Sequence, residues 1–207
     1  MPIAMSKDTY LTIAQKAEGI YKEKGSKFIA FAFPVKTENE VKEVLKDIKK
    51  EYFDARHHTY AYILGAEKSL FRMNDDGEPS STAGRPIYGQ LVSRDLTDVL
   101  VVVVRYFGGT KLGVSGLIKA YKQATIDVFN NATIIEKTID EVYGVSFEYL
   151  LLNDVMKVLK EFDIVQSNHR FENLCYLEFT IRRSNAERVL GNLNSIVGVS
   201  VEFLRRI

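Results

Sequence analysis

At 207 residues the chain is long for one small domain and comfortable for two. Its 46% apolar content can fill ordinary cores, and 28 Lys+Arg against 27 Asp+Glu leave a net charge of +1, so no global basic field points to nucleic acid. A single cysteine, Cys175, excludes an intrachain disulfide and fits a reducing compartment.

The N-terminus, Met1-Pro2-Ile3-Ala4-Met5-Ser6-Lys7, lacks an apolar signal core. No run approaches the roughly 20 apolar residues of a membrane helix. The expectation is a soluble, cytoplasmic protein with no membrane partner. Thr9–Ala14, Gly19–Lys24 and Ser26–Val35 read as strands parted by short polar or glycine breaks. Both faces of the third are apolar, so it belongs inside a sheet. Thr37-Glu38-Asn39-Glu40 is a capping box. Val41, Val44, Leu45 and Ile48 follow at helical spacing, which predicts a helix to about Tyr52.

A strand over Arg56–Leu64 and a short one over Leu70–Met73 lead to the acidic loop Asp75-Asp76-Gly77-Glu78-Pro79. Ser81 or Thr82 can cap the next helix, whose first turn tolerates Pro86. The β-branched run Val99–Val104 is a buried strand. It opens into Arg105-Tyr106-Phe107-Gly108-Gly109-Thr110-Lys111-Leu112-Gly113, and a helix runs from about Val114 to Asn130. From Thr138 the pattern becomes strand (Val142–Tyr149), helix (from Asn153), a hairpin (Ile164–Phe171 with Cys175–Arg182), a helix capped by Ser184, and a strand (Val199–Leu204). This β-α-β-β-α-β order is ferredoxin-like. It sets a division into residues 1–137 and 138–207. Cys175, in an apolar strand run, reads as a buried small residue.

The glycine loop follows a buried strand and precedes a helix, which exposes backbone N–H groups to an anion. It is not a Walker A loop, because Val114 stands where Lys must follow the second glycine. Leu112-Gly113-Val114-Ser115 is similar to the phosphate loop of small-molecule kinases of the galactokinase/homoserine-kinase type. The candidate anion or nucleic-acid site comprises Arg85, Arg105, Tyr106, Lys111, Gly108, Gly109, Gly113 and Gly116. Tyr60, Tyr62, Phe107 and Tyr121 accompany it as aromatics that either stack on bases or fill the core. Asp75, Asp76 and Glu78 could hold Mg²⁺, but such a loop is more often a turn, and no cofactor is expected. His57 and His58 are adjacent on a strand and point to opposite faces, so no metal site and no nucleophilic triad emerges.

Asp76-Gly77-Glu78-Pro79, Thr82-Ala83-Gly84-Arg85-Pro86, Arg105 to Gly113 and Gly116-Leu117-Ile118-Lys119-Ala120-Tyr121 resemble the signature of the YigZ/Impact family. Gly25-Ser26-Lys27-Phe28-Ile29-Ala30 and His57-His58-Thr59-Tyr60-Ala61-Tyr62 extend the resemblance over roughly residues 20–130. Ser115 stands where glycine is expected. The resemblance implies an α+β protein. Its N-terminal domain would be like the second domain of a small-subunit ribosomal protein, and its C-terminal domain would be ferredoxin-like, as in the last domain of elongation factor G. It further implies a non-catalytic, translation-associated protein that binds RNA or a ribosomal component, because eukaryotic Impact relatives regulate translation through a stress-kinase pathway. The alternatives are a nucleotide- or phosphate-binding enzyme of phosphotransferase type and a module recognising a translation-linked protein.

Overall fold

The computed structural model describes residues 8–207, and the N-terminal segment read for a signal core lies outside them. The described chain forms two compact units, one of Tyr10–Lys137 and one in which Asp8 and Thr9 join Thr138–Ile207. The first contains β1 (Thr9–Ile13), β2 (Ala17–Glu23), β3 (Ser26–Pro34), α1 (Glu38–Glu51), β4 (His57–Leu64), β5 (Leu70–Asn74), α2 (Gly84–Ser93), β6 (Val99–Tyr106), α3 (Gly113–Asn130) and β7 (Ile134–Thr138).

Five of these strands make an antiparallel sheet in the order β2-β3-β6-β4-β5. Strand alternation sorts β6 between two cores. Val99, Val101 and Val103 pack with Phe28, Ile87, Leu91, Leu117 and Tyr121 on the side of α2 and α3. Leu100, Val102 and Val104 pack with Phe31, Val41 and Ile48 on the side of α1. A sheet covered on both faces needs apolar residues at every central position, which is why β6 reads as an unbroken apolar run from Val99 to Val104. Gly19 lets α3 lie directly on β2, because a Cβ there would fall 2.4 Å from the Val128 nitrogen.

Several local expectations change. Thr9–Ile13 is a strand as read, standing outside the five-stranded sheet and pairing with β7, a strand the sequence pattern leaves unmarked. β7 is largely exposed and carries no alternation strong enough to announce it. At α1 the Thr37 hydroxyl accepts from the Glu40 N–H (3.2 Å), but the Glu40 carboxylate reaches the Lys36 N–H (2.8 Å) rather than that of Thr37. α2 begins after Ala83 with no cap from Ser81 or Thr82. The Thr82 hydroxyl donates instead to the Pro79 carbonyl. The Asp75 carboxylate takes over, accepting from the backbone N–H groups of Ser81, Ala83 and Gly84 at 2.8, 2.9 and 2.8 Å.

The second unit runs β8 (Asp140–Glu148), a short 3₁₀ turn, α4 (Leu152–Glu161), β9 (Val165–Arg170), β10 (Leu174–Arg182), α5 (Arg183–Asn194) and β11 (Ser200–Arg206). Its sheet order is β11-β8-β10-β9, antiparallel throughout. Val155, Leu159, Val189 and Leu193 from the helices meet Val145, Phe147, Leu177 and Phe179 from the sheet in one core, which also encloses Cys175. Ser184 lies inside α5 rather than at its cap. The buried Glu141 carboxylate gathers the Tyr143 hydroxyl (2.7 Å) and the Arg206 guanidinium (2.9 Å).

Candidate anion-binding cleft

The two segments singled out by sequence meet in the first unit. They enclose a cleft of about 450 Å³ lined by the 56–57 and 78–79 segments, Arg105, Phe107, the 111–114 loop and Leu117. Alternation along β6 puts Arg105 on the same face as Val101 and Val103, and Arg105 pairs with His57 across the strands. Its guanidinium is buried between the Phe28 and Phe107 rings, 5.4 and 5.7 Å from their centroids.

Glu78 compensates that buried charge. Its Oε1 accepts from Arg105 Nη1 at 2.5 Å and from the Tyr121 hydroxyl at 2.7 Å. Burial comes first, and the adjacent Glu78 charge and hydrogen bond second, in pushing the Tyr121 phenol far above the ordinary tyrosine value. The His57 Nδ1–H donates to the Asp76 carbonyl at 2.8 Å. That fixes the ring and leaves Nε2 turned to Glu78, 3.9 Å from the same Oε1. Arg105 Nε is buried and has no hydrogen-bond partner among the described residues, an uncommon state for a buried donor.

The rim is cationic. Arg56 and Lys111 are exposed cleft residues, and neither has an ion-pair partner among the described residues. The α3 N-terminus opens here with Leu112 at its cap, no side-chain capping bond and no acid in its first turn. Its first N–H groups are therefore available to an anion, with the positive end of the helix dipole behind them. Gly113 adopts φ +71° with open space where a Cβ would be, so its backbone can be approached closely.

The other site candidates separate. Gly108 is a packing glycine: a Cβ on it would lie 1.9 Å from the Gly25 carbonyl carbon. Gly109 turns the loop at φ +87°, and Gly116 sits inside α3, its missing Cβ 3.0 Å from that of Leu112. Tyr106 faces the α1 side, donates to Asp54 at 2.7 Å and is absent from the cleft lining. Arg85 is exposed on α2, outside the cleft lining. Tyr62 and Tyr121 are core residues, whereas Phe107 is half exposed on the cleft wall.

The acidic loop does not converge on a cation. Asp75 caps α2, Asp76 accepts from the His58 N–H at 2.6 Å, and Glu78 neutralises Arg105. No group of three or more metal-ligating side chains occurs among the described residues. His57 and His58 do face opposite sides of β4, His58 donating to the Tyr52 carbonyl at 3.0 Å. Sequence reasoning missed Arg56, and it treated Arg105 as a loop cation. Continuing the β6 alternation two residues past Val103 would have turned Arg105 inward.

Residues 24–129, which include every lining residue of the cleft, match the Impact N-terminal domain. The chain is 35% identical over 167 residues to the IMPACT family member YvyE of Bacillus subtilis, covering 80% of this chain and 77% of that protein. It is 31% identical over 167 residues to the IMPACT family member YigZ of Escherichia coli, covering 79% and 82%. A crystal structure of a hypothetical protein superposes with a TM-score of 0.74 at 26% identity, over 96% of this chain and 98% of that one. A domain match that carries the whole cleft, joined to relatives that align across most of both chains, makes this chain a member of the IMPACT family.

Proposed function

We propose that this chain is a non-catalytic, translation-associated protein that binds RNA or a ribosomal component through the cleft at the α3 N-terminus. One observation carries the reading. Arg56 and Lys111, without ion-pair partners among the described residues, and an uncapped helix N-terminus surround a buried arginine whose Nε has no acceptor among those residues. Backbone phosphates suit such a site. Family membership adds weight, since translational control is what the Impact resemblance implies. The strand order β11-β8-β10-β9 supports a ferredoxin-like second unit, and the sheet-and-helix layers of the first support a fold like the second domain of a small-subunit ribosomal protein. No helix among the described residues is long and apolar enough to cross a membrane.

The phosphotransferase alternative needs a carboxylate free for Mg²⁺. Asp75, Asp76 and Glu78 are each engaged by protein donors, so RNA or ribosome binding is the better-supported reading. The test is Lys111→Ala. RNA or ribosome affinity should weaken by about 1–3 kcal/mol, the scale of a charge-assisted hydrogen bond, and wild-type affinity should fall as salt rises. Melting should move little, because exposed substitutions change stability by roughly 0.5 kcal/mol or less. Salt-dependent titration and ribosome cosedimentation measure the first effect and thermal unfolding the second. Undiminished binding by the variant would remove the cleft from the function.

A further inference from the structure

We propose that the cleft takes a nucleoside 5′-monophosphate unit, either a free nucleotide or the phosphorylated 5′ end of an RNA, rather than an internal stretch of strand. This rests on the reading that the cleft binds nucleic-acid phosphate, and it names the part of the ligand that enters. Three features of the cleft point to it.

The first is size. A volume of about 450 Å³ falls within the roughly 300–1,000 Å³ of small-molecule pockets. It suits one nucleotide. The second is charge. Arg105 is already balanced by Glu78, which leaves Arg56 and Lys111 as two cleft cations without an ion-pair partner among the described residues. A terminal phosphomonoester carries a charge of about −1.5 to −2 at neutral pH, whereas an internal phosphodiester carries only one. The dianion matches the two cations and the positive end of α3. The third is the buried donor. The Arg105 side chain is only 8% exposed, lines the cleft and leaves Nε without a partner among the described residues. Its N–H lies beneath the inner wall, closed to solvent, so a phosphate oxygen reaches it only after the half-exposed Phe107 ring against it shifts.

The apolar part of the wall accounts for the rest of the ligand. Phe107 is 51% exposed and Val114 59%. Together with Pro79 and Leu112 they give a face on which a base can stack. Arg105 lies behind the Phe107 ring and holds it from the protein side.

The experiment titrates the full chain with one short single-stranded oligoribonucleotide in 5′-phosphate and 5′-hydroxyl forms, with a nucleoside 5′-monophosphate, and with inorganic phosphate. The 5′-phosphate form should bind about tenfold or more tightly than the 5′-hydroxyl form, a difference of about 1.4 kcal/mol. The monophosphate should compete with it. Lys111→Ala and Arg56→Ala, both on exposed residues, should abolish the preference without lowering the melting temperature. Phe107→Ala should weaken the monophosphate severalfold and leave inorganic phosphate unchanged.

Equal affinity for the two oligonucleotide forms would overturn end recognition while leaving RNA binding in place. Lys111-dependent binding of the monophosphate with no binding of either oligonucleotide would support the nucleotide pocket and overturn RNA binding. Absence of binding by all four probes would overturn the nucleotide pocket, and ribosome cosedimentation then decides the wider reading. Inorganic phosphate binding as tightly as the monophosphate would overturn the stacking face.

Discussion

At the scale of single residues, the cleft depends on one oxygen. Glu78 Oε1 serves the Arg105 guanidinium and the Tyr121 hydroxyl together, in surroundings where the Glu78 and Arg105 side chains are 3% and 8% exposed. Removing one partner of such a pair leaves a buried charge uncompensated, which costs about 3–5 kcal/mol. Glu78→Ala should lower the urea-unfolding free energy by that amount. Glu78→Gln should cost less, because its carbonyl can still accept from both donors, and a reversed ranking would argue against charge as the cause. The sequence displays Glu78, Arg105 and Tyr121 in three separate motifs. Their convergence was not legible there, because contacts spanning 27 and 43 residues depend on strand register and on the pose of α3. Lys111 and Gly113, by contrast, were readable, since loop and helix start are set locally.

At the scale of elements, the acidic loop is a capping device. Asp75 reaches eight and nine residues forward to the first amides of α2, and Gly84 presses that helix end against β5, its absent Cβ 2.8 Å from the Asn74 nitrogen. Asp75→Ala should therefore cost about 1–2 kcal/mol, the upper part of the range for lost N-caps, with Asp75→Asn intermediate. Chemical denaturation of the three proteins side by side measures this. Addition of Mg²⁺ should leave the ranking unchanged if the carboxylate serves the helix and not a metal. Helices and buried strands were largely legible: the Thr37 cap, the apolar run of β6 and the period of α3 all carry strong local patterns. The cap of α2 and the existence of β7 were not. The first depends on a residue outside the usual capping window, and the second on pairing with β1 at the far end of the unit.

At the scale of the whole molecule, several tyrosines set an alkaline limit. Burial, then the Glu38 hydrogen bond, pushes Tyr62 from 10.0 up to about 12. The Asp54 hydrogen bond, then burial, does the same for Tyr106, and burial, then the Glu141 hydrogen bond, for Tyr143. Each keeps its proton in the folded chain after the unfolded chain has lost it. The unfolded state then binds fewer protons, so stability falls as pH rises. The contribution is complete below pH 10 and drains away between about 10 and 12. Urea midpoints across that window should decline steadily, and Tyr62→Phe should flatten part of the decline. A midpoint independent of pH up to 12 would contradict the assignment.

The pairing of β1 with β7, and the bonds that Asp8 makes to Ile139 and to Arg182, fix a schedule for biosynthesis. The Asp8 carbonyl accepts from the Ile139 N–H at 2.7 Å, and its carboxylate meets Arg182 across 174 residues of chain. At about 5–20 residues per second, β1 is made roughly 6–25 s before β7, and Asp8 roughly 9–35 s before Arg182. Leu11 finds Leu96 and Thr97 well before β7 is made, but the edge of β1 that β7 later pairs stays open to proteases until β7 arrives. Ribosome-stalled chains ending near Asn130 should be cut within β1, whereas chains released to full length should resist. Protection appearing already at the shorter length would mean that β1 finds shelter before β7 exists.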